Sequence, residues 1–171
     1  MVKKFLMKVI CVMLLGAMSL PASADKEDLT QYRYIPVEAM EDALLYELKP
    51  FAATYIEAGK QYGVDPVFLA AKDAEESGWG RYQSAPNNLG GWTGSDGGFM
   101  SFQSVEDYIY HAASSISEMY LDEDGCYHHG TSLSDVNKRY NGRQTWGDHV
   151  GGIMDDINEK INEYTGANYG G

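Results

Sequence analysis

The chain has 171 residues, 22% of them charged and 44% hydrophobic, the composition of an ordinary soluble globular protein, which excludes wholesale disorder, a collagen-like repeat and a polytopic membrane protein. Its formal net charge is −12, from 25 acidic and 13 basic residues. Phosphate neutralisation needs a Lys/Arg surface that this balance does not supply, so no nucleic acid is expected as a partner.

The first two dozen residues read as a targeting signal. Lys3, Lys4 and Lys8 open it, residues 9–20 are almost wholly apolar, and Pro21 leads into Ala22-Ser23-Ala24, a small-residue cleavage site. Residues 1–24 are therefore expected to be removed and the mature chain, starting near Asp25, to be secreted. An uncleaved anchor helix is the alternative, but the apolar run is short of the ~20 residues that cross a bilayer, and no integral membrane span is expected after cleavage. Removing three lysines leaves ten basic residues against 25 acidic ones, a net charge of −15. Cys126 is then the single cysteine of the mature chain, so no intramolecular disulfide is expected, and the core must hold the fold.

Residues 25–49 read as an acidic leader strapped onto the domain, with Tyr32, Arg33 and Tyr34 in a row and helical spacing of Met40, Leu44, Leu45 and Leu48. Pro50 fits the first turn of a second helix running to about Gln61, and Gly63 ends it. Asp65-Pro66 is a helix start: an N-cap acceptor precedes a residue whose missing N–H costs nothing there. The helix it opens runs through Phe68, Leu69, Ala70, Ala71 and Ala74 to Gly78 and Gly80, and its mixed apolar faces predict a central position.

From 84 to 103 the character changes. Gly90, Gly91, Gly94, Gly97 and Gly98 punctuate the aromatic pieces around Trp92 and Phe99, which predicts a small hairpin. Ser104 followed by Asp107 resembles a capping box and opens a helix to about Tyr120. A short helix over 132–139 and a long one over 145–164 follow, the latter with Val150, Ile153, Met154, Ile157 and Ile161 at helical spacing. Gly151-Gly152 inside it costs roughly 1 kcal/mol per glycine against alanine, so a close helix contact is expected there. Residues 165–171 read as a flexible tail. His111, His128 and His129 lack the carboxylate or cysteine spacing of a metal site, so neither metal nor cofactor is expected.

Chemistry concentrates where the central helix ends. Glu76-Ser77-Gly78-Trp79-Gly80 puts a carboxylate on the last turn, beside a tryptophan. Burial against apolar surface raises a carboxyl pKa, and a glycosidase needs such a group protonated to donate to the leaving oxygen. The helix C-terminal dipole acts in the same direction. A solvated glutamate at a helix end is the alternative that spacing leaves open.

Gly63-Val64-Asp65-Pro66, Phe68-Leu69-Ala70-Ala71, Glu76-Ser77-Gly78-Trp79-Gly80, Asn87-Asn88-Leu89-Gly90 and the late Tyr140-Asn141-Gly142 with Trp146, Val150 and Ile153 form an ordered set. It resembles the glucosaminidase domains of bacterial cell-wall hydrolases, glycoside hydrolase family 73. The resemblance implies a mainly helical, lysozyme-like domain over residues 50–164 with a small β-hairpin lobe. It also implies an endo-β-N-acetylglucosaminidase that cleaves the β-1,4 bond after N-acetylglucosamine in peptidoglycan strands, at the cell wall.

Carried over residue by residue, Glu76 matches the family's general acid and Tyr140 the tyrosine that lines its cleft, while Asn88 and Gly90 match the turn into the β-lobe. Glu75 is a rival acid, but only Glu76 directly precedes Ser-Gly-Trp-Gly. Many family members carry a longer β-lobe with a second acidic residue; here Asp96 is the one carboxylate of the short hairpin, a candidate for activating water that would equally suit a turn. Without a second carboxylate, the substrate's own N-acetyl group could act as nucleophile. Trp79, Tyr82 and Trp92, with Asn88, are the candidate substrate-binding residues, since flat aromatic faces suit sugar rings. A lytic transglycosylase of the same fold and a non-catalytic glycan-binding module are the alternative readings, and a monomer is expected.

Overall fold

The computed structural model describes residue 26 and residues 28–169; the expected signal segment lies outside them. Six helices carry the fold: α1 (Val37–Ala43), α2 (Ala52–Tyr62), α3 (Pro66–Ser77), α4 (Val105–Ile116), α5 (Leu133–Tyr140) and α6 (Gln144–Tyr169). Among the described residues no helix is long and apolar enough to cross a membrane.

α3 is the axis. Asp65 caps it by accepting from the Val67 N–H, Pro66 occupies its first turn, and ten of its twelve residues are buried, so only Glu75 and Glu76 reach outward. α3 packs against α6, α2 and α4, while α2 also meets α4 and α1 lies against α6 and α2. Val67, Phe68, Leu69, Ala70 and Ala71 meet Val150, Met154, Ile157 and Ile161 in one core.

The leader is part of that core and not an appendage. Leu29, Ile35, Ala39, Met40, Leu44 and Leu48 are all buried, and the Leu29 N–H and C=O bond Thr131 O and the Asp65 N–H at 2.8 and 2.7 Å. The helix expected to run on from 37 stops at Ala43, because Leu44 and Leu45 are extended and Tyr46 takes a positive φ of 46°. A 3-10 turn (Tyr46–Phe51) then contains Pro50, placing it just before α2 instead of inside it. Gly63 closes α2 at φ 65°, as its position in the sequence predicts.

The glycine-rich segment forms no strand. Single antiparallel bridges join Ala85 to Asn88 and Thr93 to Phe99, and the Met100 N–H donates to Trp92 O at 2.8 Å. The Gly94 N–H donates to Gly98 O at 2.8 Å as well, and the polar side chain of Asn88 reinforces this minimal pairing from the side. Its Nδ2 donates to Trp92 O and Met100 O at 2.8 and 2.9 Å, and its Oδ1 accepts from the Trp92 N–H at 3.0 Å. The segment is a flap tied at its base.

Two further differences lie near the end of the chain. α6 continues through Tyr169, past the point where a tail was expected, with Thr165 Oγ1 donating to Ile161 O at 2.8 Å. Of the glycine pair, Gly151 is packed, since a Cβ there would stand 3.3 Å from Lys26 Cδ, whereas Gly152 faces open space. Cys126 is exposed and unpaired.

Ser104 caps α4, its Oγ accepting from the Asp107 N–H at 3.1 Å. Ser104→Ala is expected to destabilise the protein by about 1 kcal/mol in denaturant titration, the usual cost of a lost N-cap.

Candidate functional site

Beneath the site lies a buried ion pair. Lys72 and Asp73, 0% and 1% exposed, bond each other through Nζ and Oδ1; Lys72 Nζ also donates to Tyr108 OH at 2.9 Å. Tyr108 OH donates to Asp73 Oδ1, and Tyr55 OH donates to Asp73 Oδ2 at 2.9 Å. Burial, reinforced by the Asp73 carboxylate, pushes both phenols far above the usual tyrosine range. Gly90 is wedged against this cluster: a Cβ on it would collide with Tyr108 OH and come within 3.4 Å of Lys72 Nζ.

One turn beyond Lys72, on the same helix face, stands Glu76. α3 ends directly after it through three consecutive positive φ angles at Gly78, Trp79 and Gly80. Ser77 Oγ holds this turn by accepting from the Gly80 N–H at 2.7 Å while donating to Asp73 O. The Trp146 indole N–H, from the first turn of α6, donates to Glu76 Oε1 at 2.7 Å.

Glu76 is exposed at the rim, yet enough protein borders its carboxyl that desolvation is the largest influence on its pKa, raising it above the ordinary carboxylate value. The Trp146 hydrogen bond and the Lys72 charge oppose that rise, and the charges of Asp73 and Glu75 add to it. Because protonation is favoured in the folded state, Glu76 contributes stability at low pH that fades as pH rises through its folded-state value.

An aromatic row leads to this carboxyl. Phe102 packs on His111 (5.2 Å between centroids), His111 on Trp92 (5.4 Å), Trp92 on Tyr140 (6.4 Å) and Tyr140 on Trp146 (5.0 Å). Burial pushes the Tyr140 phenol far up, and the negative charge of Glu76 pushes the same way. Burial likewise lowers the His111 pKa.

A polar hollow of about 240 Å³ opens beside Glu76, lined by Glu75, Asn141, Arg143, Thr145, Trp146 and His149. His149 Nδ1 bonds Glu75 Oε1 at 2.9 Å. A larger groove of about 600 Å³ lies on another face of α6, floored by Gly147, Gly151 and Gly152.

The structure gathers some of the residues singled out in the sequence and separates others. Tyr140 and Trp92 join Glu76 through the aromatic row. Asn88 is buried and spends its amide on the flap. Asp96 is exposed in the flap, its Oδ1 accepting from the Gly98 N–H at 3.0 Å. Tyr82 is 70% exposed beside Arg81, and Trp79 borders a different hollow with Leu45, Ile157 and Lys160. Sequence reasoning did not single out Lys72, Asp73, Tyr55, Tyr108, Arg143 or His149 for the site, or the bond from Trp146. A Lys-Asp pair inside an otherwise apolar helix was the available signal. Among the described residues no group of three or more His, Cys, Asp or Glu side chains is placed to hold a metal ion.

The site thus belongs to a helical domain with a desolvated carboxyl at the end of its central helix. Residues 52–159 match the glucosaminidase family, described as mannosyl-glycoprotein endo-beta-N-acetylglucosaminidase, and the chain belongs to that family. It is 34% identical over 115 residues to proteins of Streptococcus pneumoniae strains TIGR4 and R6, each named "Putative endo-beta-N-acetylglucosaminidase". The match takes in 64% of this chain but 17% and 16% of those proteins, so the chain spans about a sixth of their length. The fold is similar to that of a catalytic glutamate-to-alanine mutant of Staphylococcus aureus autolysin E, crystallised in complex with the disaccharide NAG-NAM. The TM-score is 0.62 at 16% identity, covering 87% of this chain and 76% of that one.

Replacing Trp146 with Phe keeps a ring against Tyr140 and removes the hydrogen bond that favours the Glu76 carboxylate. The Glu76 titration, followed by carboxyl-carbon NMR, is expected to move to higher pH in the variant.

Proposed function

We propose that this protein is an exported peptidoglycan hydrolase of the endo-β-N-acetylglucosaminidase type, with Glu76 as the general acid. The observation that carries the reading is the position of Glu76: last turn of a buried helix, pKa raised by desolvation, one oxygen held by Trp146. Family membership of residues 52–159 supports the same chemistry.

In this reading Glu76 gives its proton to the glycosidic oxygen as the bond from the anomeric carbon of N-acetylglucosamine breaks. The leaving sugar departs as an alcohol, and water completes the hydrolysis. The Trp146 N–H then steadies the carboxylate that remains. Tyr140, packed between Trp92 and Trp146, closes the cleft beside the reacting centre. Asp96 is the group we assign to positioning the water, and Tyr82 and Trp92 are the residues assigned to the glycan, while the buried Asn88 holds the flap and Trp79 borders a separate hollow. Lys3, Lys4 and Lys8 ahead of the apolar run 9–20 support export to the cell wall; residues 50–164 form the catalytic domain with Leu29 to Leu48 packed into its core, and the chain works as a monomer without metal or cofactor.

Mass spectrometry of purified peptidoglycan after digestion tests the reading. Residues 25–171 are expected to release fragments with reducing N-acetylglucosamine ends. Glu76→Gln should lose that activity by at least about 100-fold while still sedimenting with the wall. Anhydro-muramic ends would make the protein a lytic transglycosylase instead, and binding without fragments from the parent chain would make it a glycan-binding module.

Asp96→Asn is expected to slow fragment release by at least about tenfold, within the range for a group that moves or positions a proton. An unchanged rate would point instead to the substrate's N-acetyl oxygen as the nucleophile that displaces the leaving sugar, with water opening the cyclic intermediate afterwards.

A further inference from the structure

Four arginines occur in the sequence, and three have protein partners. Arg33 bonds Asn158, Arg81 donates to Gly78 O at 2.9 Å and lies over the Tyr46 ring, and Arg139 donates to His129 at 2.9 Å. Arg143 is different. Among the described residues its guanidinium makes neither an ion pair nor a hydrogen bond, although it lines the hollow beside Glu76 in a strongly acidic chain.

Its backbone, by contrast, is fixed. Arg143 O accepts from Asn137 Nδ2 at 2.9 Å, from the Trp146 N–H at 3.1 Å and from the Gly147 N–H at 3.4 Å. The chain thus anchors the Cα next to the acid and leaves the charged fork free. The competing charges nearby are accounted for: Glu75 is engaged by His149, and Glu76 by Trp146. The hollow is mainly polar, and Asn141 and Thr145 add neutral polar groups to its wall.

We infer that Arg143 is a specificity-determining residue that binds a carboxylate carried by the glycan next to the bond being cleaved. A guanidinium presents parallel N–H donors that match a carboxylate with two hydrogen bonds, which a neutral polar wall does not. This rests on the glycosidase reading above and deepens it, because it makes the substrate an anionic glycan and not a neutral one such as chitin. In peptidoglycan the carboxylate has two sources: the lactyl ether of muramic acid, free in strands stripped of peptide, and the stem peptide, whose attachment converts the lactyl acid to an amide.

The test compares kcat/KM of the parent chain with Arg143→Gln and Arg143→Lys on three substrates: chito-oligosaccharides, peptide-free glycan strands and intact peptidoglycan. The loss in Arg143→Gln on a carboxylate-bearing substrate is expected to exceed its loss on chito-oligosaccharides by about 10- to 100-fold, mostly through KM, with Arg143→Lys between the two. A selective loss on stripped strands assigns the lactyl acid, and one on intact wall assigns the stem peptide. Equal losses on all three substrates, or none, would overturn the inference.

Calorimetry separates this from the glycosidase reading. In a Glu76→Gln background, adding Arg143→Gln should weaken binding of the muramic-acid disaccharide, or of a muropeptide, more than binding of chitobiose. That comparison decides the role of Arg143 even if no substrate is cleaved, an outcome that would overturn the hydrolase reading alone.

Discussion

The buried pair of Lys72 and Asp73 is the constraint on which the rest of the site depends. Moving two charges out of water costs several kcal/mol per ion, and only close pairing with further hydrogen bonds offsets it. Here Tyr55 from α2 and Tyr108 from α4 complete the set, so three helices are fixed relative to one another by directional bonds as well as by packing. The flap is drawn into the same arrangement at Gly90, where a side chain would collide with Tyr108. Losing either ion would leave the other uncompensated in the core, which makes this pair a point of order and of vulnerability together.

Above that base the structure turns packing into chemistry over a short distance. The last turn of α3 passes from a wholly buried interior to an exposed rim, so Glu76 sits at the boundary between core and solvent. Its proton affinity reflects opposed influences, with desolvation ahead of the Trp146 bond and the Lys72 charge. Trp146 belongs to α6 and packs on Tyr140 at the end of α5, so the geometry around the carboxyl depends on how these two helices seat against α3.

Much of this was legible in the sequence. Asp65-Pro66 and Ser104 with Asp107 announce helix starts through chemistry that is local, and the structure has the N-cap bond of each, from the Val67 N–H to Asp65 and from the Asp107 N–H to Ser104. Glu76 was distinguished from Glu75 by its neighbours, and the two occupy different settings, one on Trp146 and the other on His149. Less visible was anything that depends on remote partners. Glycine and aromatic spacing displays the short antiparallel pairing of 92–94 with 98–100, whereas the bonds that Asn88 adds from the side are not visible in it. Residues 25–49 read as a leader because their polarity hides how completely Leu29, Ile35 and Met40 are enclosed. Arg143 carries no local signature, since its distinction is that its guanidinium, unlike those of the other arginines, has no partner among the described residues.

The enclosure of Lys72 also gives the molecule an internal gauge. Lys49, Lys60, Lys138 and Lys160 are exposed, so an amine-reactive label reaches them in the native state, while Lys72 is shielded until the core parts. Its labelling should follow the opening of the central helix bundle and ignore fraying at the ends of the chain. One peptide in a mass spectrum would then report the integrity of the ground on which Glu76 stands, separately from whether the cleft itself is occupied.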